Sequence, residues 1–200
     1  MAKHTDKKER LAVLTSNILN PFLIGMALIL LFSFSSTATT SEAFKWAGIS
    51  MAVGIVPVFL VVLYFYKNGQ LDNFFISVRA QRTRIYIFGI ILFSISCVLL
   101  SYMGAPVLLV AGFVSGLSAI LIFAFINLRW KISVHTGFMA GSSLALVMLF
   151  GWMAAASVVL VPLTAWARIK LESHSLAQTV GGAVMASLIV AAVFYPLAIA

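Results

Sequence analysis

Long apolar runs separated by three short polar islands make up most of this chain. The islands are residues 72–84 (DNFFISVRAQRTR), 131–136 (KISVHT) and 168–178 (RIKLESHSLAQ). A helix needs about 20 apolar residues to cross the hydrocarbon core of a bilayer. The apolar sequence between consecutive islands is long enough for two crossings, which puts all three islands on one face of a membrane. An open sheet has unpaired edge groups and no water to satisfy them in hydrocarbon, so the runs read as helices.

The first run opens at Asn17, Asn20 and Pro21 and closes near Phe34, with Pro21 suited to a first helical turn. Residues 44–66 form the second span, with a kink expected at Pro57. Residues 85–103 and 107–128 form the third and fourth, joined by a tight turn at Gly104-Ala105-Pro106. The 31 residues 137–167 are too many for one ordinary span, and a split at Gly151-Trp152 gives two halves. That split puts Trp46 and Trp152 at one membrane interface and Trp130 and Trp166 at the other, where tryptophan collects. Each half has about 15 residues, roughly 22 Å of helix, so these helices are short. Residues 179–199 complete the set.

The expected fold is therefore all-α, a polytopic transmembrane bundle of six to seven helices in a single domain over residues 1–200. Residues 1–16 form a basic leading segment. Were 137–161 one tilted span instead, the second and third islands would face opposite sides. The beginning of the chain resembles a signal sequence, but the spans that follow favour an uncleaved anchor.

With 62% hydrophobic and 9% charged side chains, the chain falls far from water-soluble domains, whose charged share is usually near a quarter. Its one cysteine, Cys97, lies in an apolar run, which excludes a disulfide framework and a cysteine-rich metal site. The net charge of +8 has no aromatic-and-basic reading surface beside it, so lipid and phosphate are the expected counterparts and nucleic acid is not. Every lysine and arginine except Lys45 falls on the island side, which the positive-inside rule makes cytoplasmic. Setting aside Arg79, Arg82, Lys131 and Arg168 as recruited to a site leaves the same bias. No acid or base interrupts residues 85–128, which speaks against a conventional ion pathway.

The candidate chemistry lies in the islands. A neutral imidazole is a good nucleophile at physiological pH, and phosphorus accepts in-line attack. Planar, forked arginines stabilise the charge that spreads over a phosphoryl group in the transition state. His135 and His174 each precede an expected helix start, where backbone N–H groups add to an anion site. Taken singly, these features have plainer readings. Arg84, Arg129 and Lys170 read as anchors for anionic headgroups, and His4 as a solvated tail residue. Gly112-x3-Gly116 and Gly137-x3-Gly141 read as helix-packing seams.

Ser133-Val134-His135, followed by Arg168, five residues and His174, resembles the type 2 phosphatidic acid phosphatase superfamily. Its three motifs are Lys-x6-Arg-Pro, Pro-Ser-Gly-His and Ser-Arg-x5-His-x3-Asp. The resemblance covers residues 67–195 and looks like a divergent prokaryotic branch in a plasma membrane. Ser133, His135, Arg168 and His174 match, whereas Ile132, Val134 and Ala167 replace Pro, Gly and Ser. In the first motif Arg82 stands for the arginine, Thr83 replaces Pro and Phe75 stands at the lysine, with Arg79 a substitute one turn away. Gln178 occupies the place of the aspartate that holds the nucleophilic histidine. Glu172 is a weak substitute for that carboxylate.

The resemblance implies hydrolysis of a polyprenyl or glycerolipid phosphate or diphosphate, with the lipid tail left in the bilayer. It makes His174 the nucleophile and His135 the general acid and base, with no metal or other cofactor. It assigns the phosphoryl oxygens to Arg82, Lys131, Ser133 and Arg168, adds Arg79, and lets Asp72 orient an arginine. A glutamine accepts the histidine N–H but does not stabilise an imidazolium as a carboxylate does. Two alternatives therefore stay open: a noncatalytic carrier or binding protein for anionic lipids, and a lipid phosphotransferase.

The expected sidedness is measurable with single cysteines placed beside Lys67 and beside Glu42. A membrane-impermeant thiol reagent added to intact cells is expected to label the second and spare the first. Labelling beside Lys67 overturns the cytoplasmic assignment.

Overall fold

The structure is a computed structural model that describes residues 6–74, 76 and 78–198. Lys3, His4, Phe75 and the end of the last expected span at Ile199 lie outside the described residues. All regular structure among the described residues is helical. Nine α-helices follow in order: α1 (Lys7–Ile18), α2 (Pro21–Ser36), α3 (Thr40–Ser50), α4 (Val56–Lys67), α5 (Arg79–Tyr102), α6 (Val107–Asn127), α7 (Val134–Phe150), α8 (Leu160–Lys170) and α9 (Leu176–Ala198). A π-helical turn, Met51–Ile55, joins α3 to α4, and a 3-10 helix, Gly151–Val159, joins α7 to α8.

Among the described residues, five helical runs are long and apolar enough to cross a membrane. A sixth is the pair α1 and α2, bent by 41°. The protein is thus an integral membrane protein by the length and composition of its helices. The chain divides into two compact units, residues 1–24 with 131–200 and residues 25–130.

In the first unit, Asn20 ends one helix and starts the next. Its Oδ1 accepts the N–H groups of Phe22 at 2.9 Å and Leu23 at 3.0 Å, so Asn20 caps α2 and Pro21 takes the position where a missing N–H costs nothing. The helix before it, α1, begins within the segment expected to be a polar leader. It turns Ala12, Thr15 and Ser16 inward and leaves Leu11, Leu14 and Ile18 exposed.

By length alone the run Val134–Lys170 counts as one span of 37 residues. Its geometry says otherwise. Ser143 donates from Oγ to the carbonyl of Ser157 at 2.9 Å, yet fourteen residues of straight helix would separate them by about 21 Å. The chain reverses between them at Gly151, whose φ of +62° and ψ of −143° close α7; a side chain is poorly tolerated in that region. The expected split at Gly151-Trp152 is where the reversal occurs. The returning half differs from expectation, because it opens as a nine-residue 3-10 helix with no buried residue.

α7 and α9 run parallel and pack closely. A Cβ on Gly141 would lie 3.1 Å from Val190 and 3.6 Å from Ala186. The packing reading of the Gly137-x3-Gly141 pair fits this contact.

The second unit explains Pro57. A proline has no N–H to give the carbonyl four residues earlier, which here belongs to Val53, and in a bilayer no water replaces it. The helix widens into the π-turn at that point, and Ser96 of α5 shares its one hydroxyl proton between Val53 O and Leu92 O, each at 2.8 Å. The kink expected at Pro57 is a π-turn repaired from the neighbouring helix. Phe93 seats against Gly116, where a Cβ would approach its ring to 2.6 Å. Trp46 is buried, because it shares one helical face with Ala43, Ala47 and Ser50. Trp130 and Trp152 are exposed.

Two differences from the expected boundaries matter for the islands. α5 starts at Arg79 rather than near Ile85, so Arg79, Arg82 and Arg84 lie on its first turns. α7 starts at Val134, so His135 is inside a helix rather than just before one.

Replacing Ser96 by Ala removes the side-chain donor at the Val53 carbonyl and is expected to destabilise the protein by about 1–2 kcal/mol. In a Pro57→Ala background the restored N–H takes over, and the same replacement is expected to cost markedly less. Unfolding midpoints of the four proteins of this cycle in mild detergent check it; equal costs in both backgrounds refute the repair.

Candidate functional site

Two helix N-termini lie side by side at one end of the first unit. Ser133 caps α7, its Oγ facing Thr136 Oγ1 at 3.0 Å and the Thr136 N–H at 3.4 Å. Ser175 caps α9 in a capping box. Its Oγ accepts the Gln178 N–H at 3.3 Å, and Gln178 Oε1 accepts the Ser175 N–H at 3.2 Å. The two ends are joined directly, because the Ser133 N–H donates to the main-chain carbonyl of Gln178 at 3.2 Å. The second and third islands therefore share one end of their unit. Parallel helix N-termini concentrate positive partial charge, which favours an anion.

Gly182 permits this junction. A Cβ built there would lie 2.5 Å from the carbonyl oxygen of Ser133, and that oxygen belongs to backbone that cannot step aside.

The amide of Gln178 fixes the state of His174. A backbone N–H only donates, so the atom facing Ser175 N is the carboxamide oxygen. That same oxygen lies 3.0 Å from His174 Nδ1. Two acceptors do not bond each other, so Nδ1 is the donor, and in the neutral imidazole Nε2 then carries the lone pair. A nucleophilic imidazole needs this tautomer.

The spacing between Arg168 and His174 has a local cause. α8 ends in a Schellman turn: Glu172 N–H bonds Ile169 O at 2.9 Å and Ser173 N–H bonds Arg168 O at 3.1 Å. Glu172 takes the left-handed position, with φ of +52°, where glycine is usual. The His174 N–H also reaches Arg168 O, at 3.3 Å. Arg168 and His174 are thus tied through the main chain across the five intervening residues. Glu172 is exposed, and Gln178 is the residue that holds the imidazole Nδ1.

His135, His174 and Arg168 are all buried, at 7%, 6% and 3% exposure, so this polar group is shielded from bulk solvent. Arg168 Nη1 donates to Ser16 Oγ at 2.9 Å. Lys131 is half-buried. The acids of this unit, Asp6, Glu9 and Glu172, are all exposed. Among the described residues no group of three or more His, Cys, Asp or Glu side chains is placed to hold a metal ion.

The first island belongs to the second unit, where its side chains hold that unit's own backbone. Arg79 Nη1 donates to Asn127 O at 2.6 Å and to Leu128 O, and Asn127 Nδ2 returns a bond to Arg79 O at 3.2 Å. This reciprocal pair closes the C-terminal end of α6 with the first residue of α5. Arg82 is buried and donates from Nε at 2.9 Å to the carbonyl of Ile76, a β-branched residue at φ +48°. Asp72 accepts from Asn73 Nδ2 at 2.8 Å and from the Val78 N–H at 3.5 Å, and its charge acts on the Arg82 guanidinium. Arg84 bonds Gln70 at 2.9 Å.

Sequence reasoning missed Ser16, Asn127, Ser175 and Gly182. The capping box Ser-x2-Gln was legible as a helix start. The other three act across long stretches of chain and left no local signal.

A methyl group at position 182 pushes on the Ser133 carbonyl, and overpacking of this kind costs about 1–3 kcal/mol. Gly182→Ala is expected to lower the unfolding midpoint and to shift the imidazole NMR signals of both His135 and His174. Unmoved histidine signals refute the role of Gly182 in holding the two helix starts together. The chain matches no family model, no curated protein and no solved structure, so the geometry and the motif resemblance carry the functional reading.

Proposed function

We propose that this protein is a membrane-embedded lipid phosphate phosphatase that hydrolyses a polyprenyl or glycerolipid phosphate or diphosphate through a phosphohistidine. The observation that carries the reading is the His174–Gln178 bond at 3.0 Å, which leaves Nε2 as the nucleophilic nitrogen. In this scheme Nε2 attacks phosphorus, the P–N bond forms as the P–O bond breaks, and His135 gives a proton to the departing oxygen. His135 then takes a proton from water, which attacks phosphorus and releases phosphate from His174. Arg168 and Lys131 stabilise the phosphoryl oxygens, helped by the dipoles of α7 and α9. Ser133 contributes mainly through its cap, since its hydroxyl is already engaged with Thr136.

The reading rests on residues of the first unit. Arg79, Arg82 and Asp72, expected to assist, are engaged within the second unit by carbonyls and the start of α5. The site end is proposed to face the cytoplasm on the charge bias, and the prokaryotic plasma membrane is proposed on the motif resemblance.

One feature favours a second reading. Gln178 is neutral, so it orients the imidazole without stabilising positive charge on it. A noncatalytic binder or carrier of anionic lipids retains every other part of the site. A phosphotransferase differs only in passing the phosphoryl group to another alcohol.

Phosphate release from a panel of lipid phosphates and diphosphates, in detergent with EDTA, tests the proposal. Release by the native chain is expected to fall by at least about a hundredfold in His174→Ala and His135→Ala. Gln178→Glu keeps the capping box and adds the missing charge, and it is expected to raise turnover. No release above the two alanine variants from folded protein moves the assignment to lipid binding or transfer.

A further inference from the structure

The N-terminal helix reaches the buried arginine. On α1 the inward residues Ala12, Thr15 and Ser16 fall at positions i, i+3 and i+4. The inward residues of α8, Thr164, Ala167 and Arg168, have the same spacing. Both faces are otherwise small, so the helices approach closely. Ser16 is 1% exposed, and its Oγ accepts Arg168 Nη1 at 2.9 Å. Residues 16 and 168 are 152 positions apart in sequence, so this contact is a product of the fold.

Arg168 is held at both its ends. Its main-chain carbonyl accepts the N–H groups of Ser173 and His174, and its guanidinium is fixed from α1. A guanidinium has five donors in a rigid plane, and fixing one of them sets the direction of the rest. Without that bond the guanidinium loses one of the contacts that set its direction, and that part of its ordering is left to be regained when an anion binds.

We infer that Ser16 is a positioning residue for phosphate binding, aiming the Arg168 guanidinium at the phosphoryl oxygens. The inference rests on the phosphatase reading only in taking the ligand to be a tetrahedral or trigonal-bipyramidal oxyanion at Arg168. It places a piece of the site in α1, outside every motif that carries the family resemblance. Ser16 touches no reacting atom; it acts through Arg168.

The test compares Ser16→Thr with Ser16→Val in the full chain, reading orthovanadate binding by calorimetry in detergent. The two side chains have the same shape and differ in one hydroxyl, so any burden of the extra methyl is common to both. Thr is expected to bind within about twofold of native, and Val about tenfold more weakly, the loss of one charge-assisted bond. Asp6→Asn is the control: it breaks the exposed Asp6–Lys170 ion pair of 3.6 Å, a second tie between this segment and α8, while keeping a helix cap. It is expected to bind as native.

Equal binding by the Thr and Val variants overturns the inference. So does weakening by Asp6→Asn equal to that by Ser16→Val, because the effect then belongs to docking of α1 in general. If the native chain binds no orthovanadate, the phosphate site itself falls and the inference falls with it. Ser16→Ala adds a turnover measurement in which KM is expected to rise with little change in kcat. An unchanged KM with a reduced kcat also counts against it.

Discussion

Hydrocarbon offers a peptide group nothing to bond with, and that constraint reaches into nearly every feature described above. Helix interiors satisfy it by themselves; helix ends and irregularities do not. At several such places the chain answers with polar side chains. Asn20 supplies an acceptor where α1 gives way to α2. Ser96 supplies a donor where Pro57 withholds one. Arg79 covers the final carbonyls of α6. Ser133 caps α7, which carries His135, and Ser175 caps α9, which His174 immediately precedes.

The same residues that solve this bonding problem also build the candidate site. Gln178 shows the overlap most clearly. As a capping-box glutamine it satisfies the start of α9, and with the same oxygen it sets the tautomer of His174. Its main-chain carbonyl takes the first N–H of the neighbouring cap. A residue with three such duties is constrained by structure before any chemistry is asked of it. Its neutral side chain is what keeps both a slow hydrolase and an oxyanion-binding protein within reach of one geometry.

Local chemistry made much of the fold legible in the sequence. Pro21 and Asn20 mark a helix start, Gly151 marks a reversal, and the apolar runs mark the spans, because each depends on neighbours a few residues away. The islands were less legible in detail. Arginines read as loop residues joined the first turns of α5, since helix propensity and the Arg79–Asn127 exchange extend it past the apolar boundary. Trp46 turned inward because its helical neighbours share its face. Ser16 gave no hint at all. A serine in a polar leader is ordinary, and its meaning comes only from a residue 152 positions later.

The nine-residue 3-10 helix after Gly151 has a consequence for the bilayer around it. A 3-10 turn rises about 2.0 Å per residue against 1.5 Å for an α-helix, so Gly151–Val159 is roughly 4–5 Å longer than the same residues in α form. It is tied to α7 by the Ser143–Ser157 bond, while Trp152, Met153, Val158 and Val159 stay exposed. In hydrocarbon those exposed apolar side chains face lipid, so the returning half spans its part of the bilayer with fewer residues than an α-helix needs.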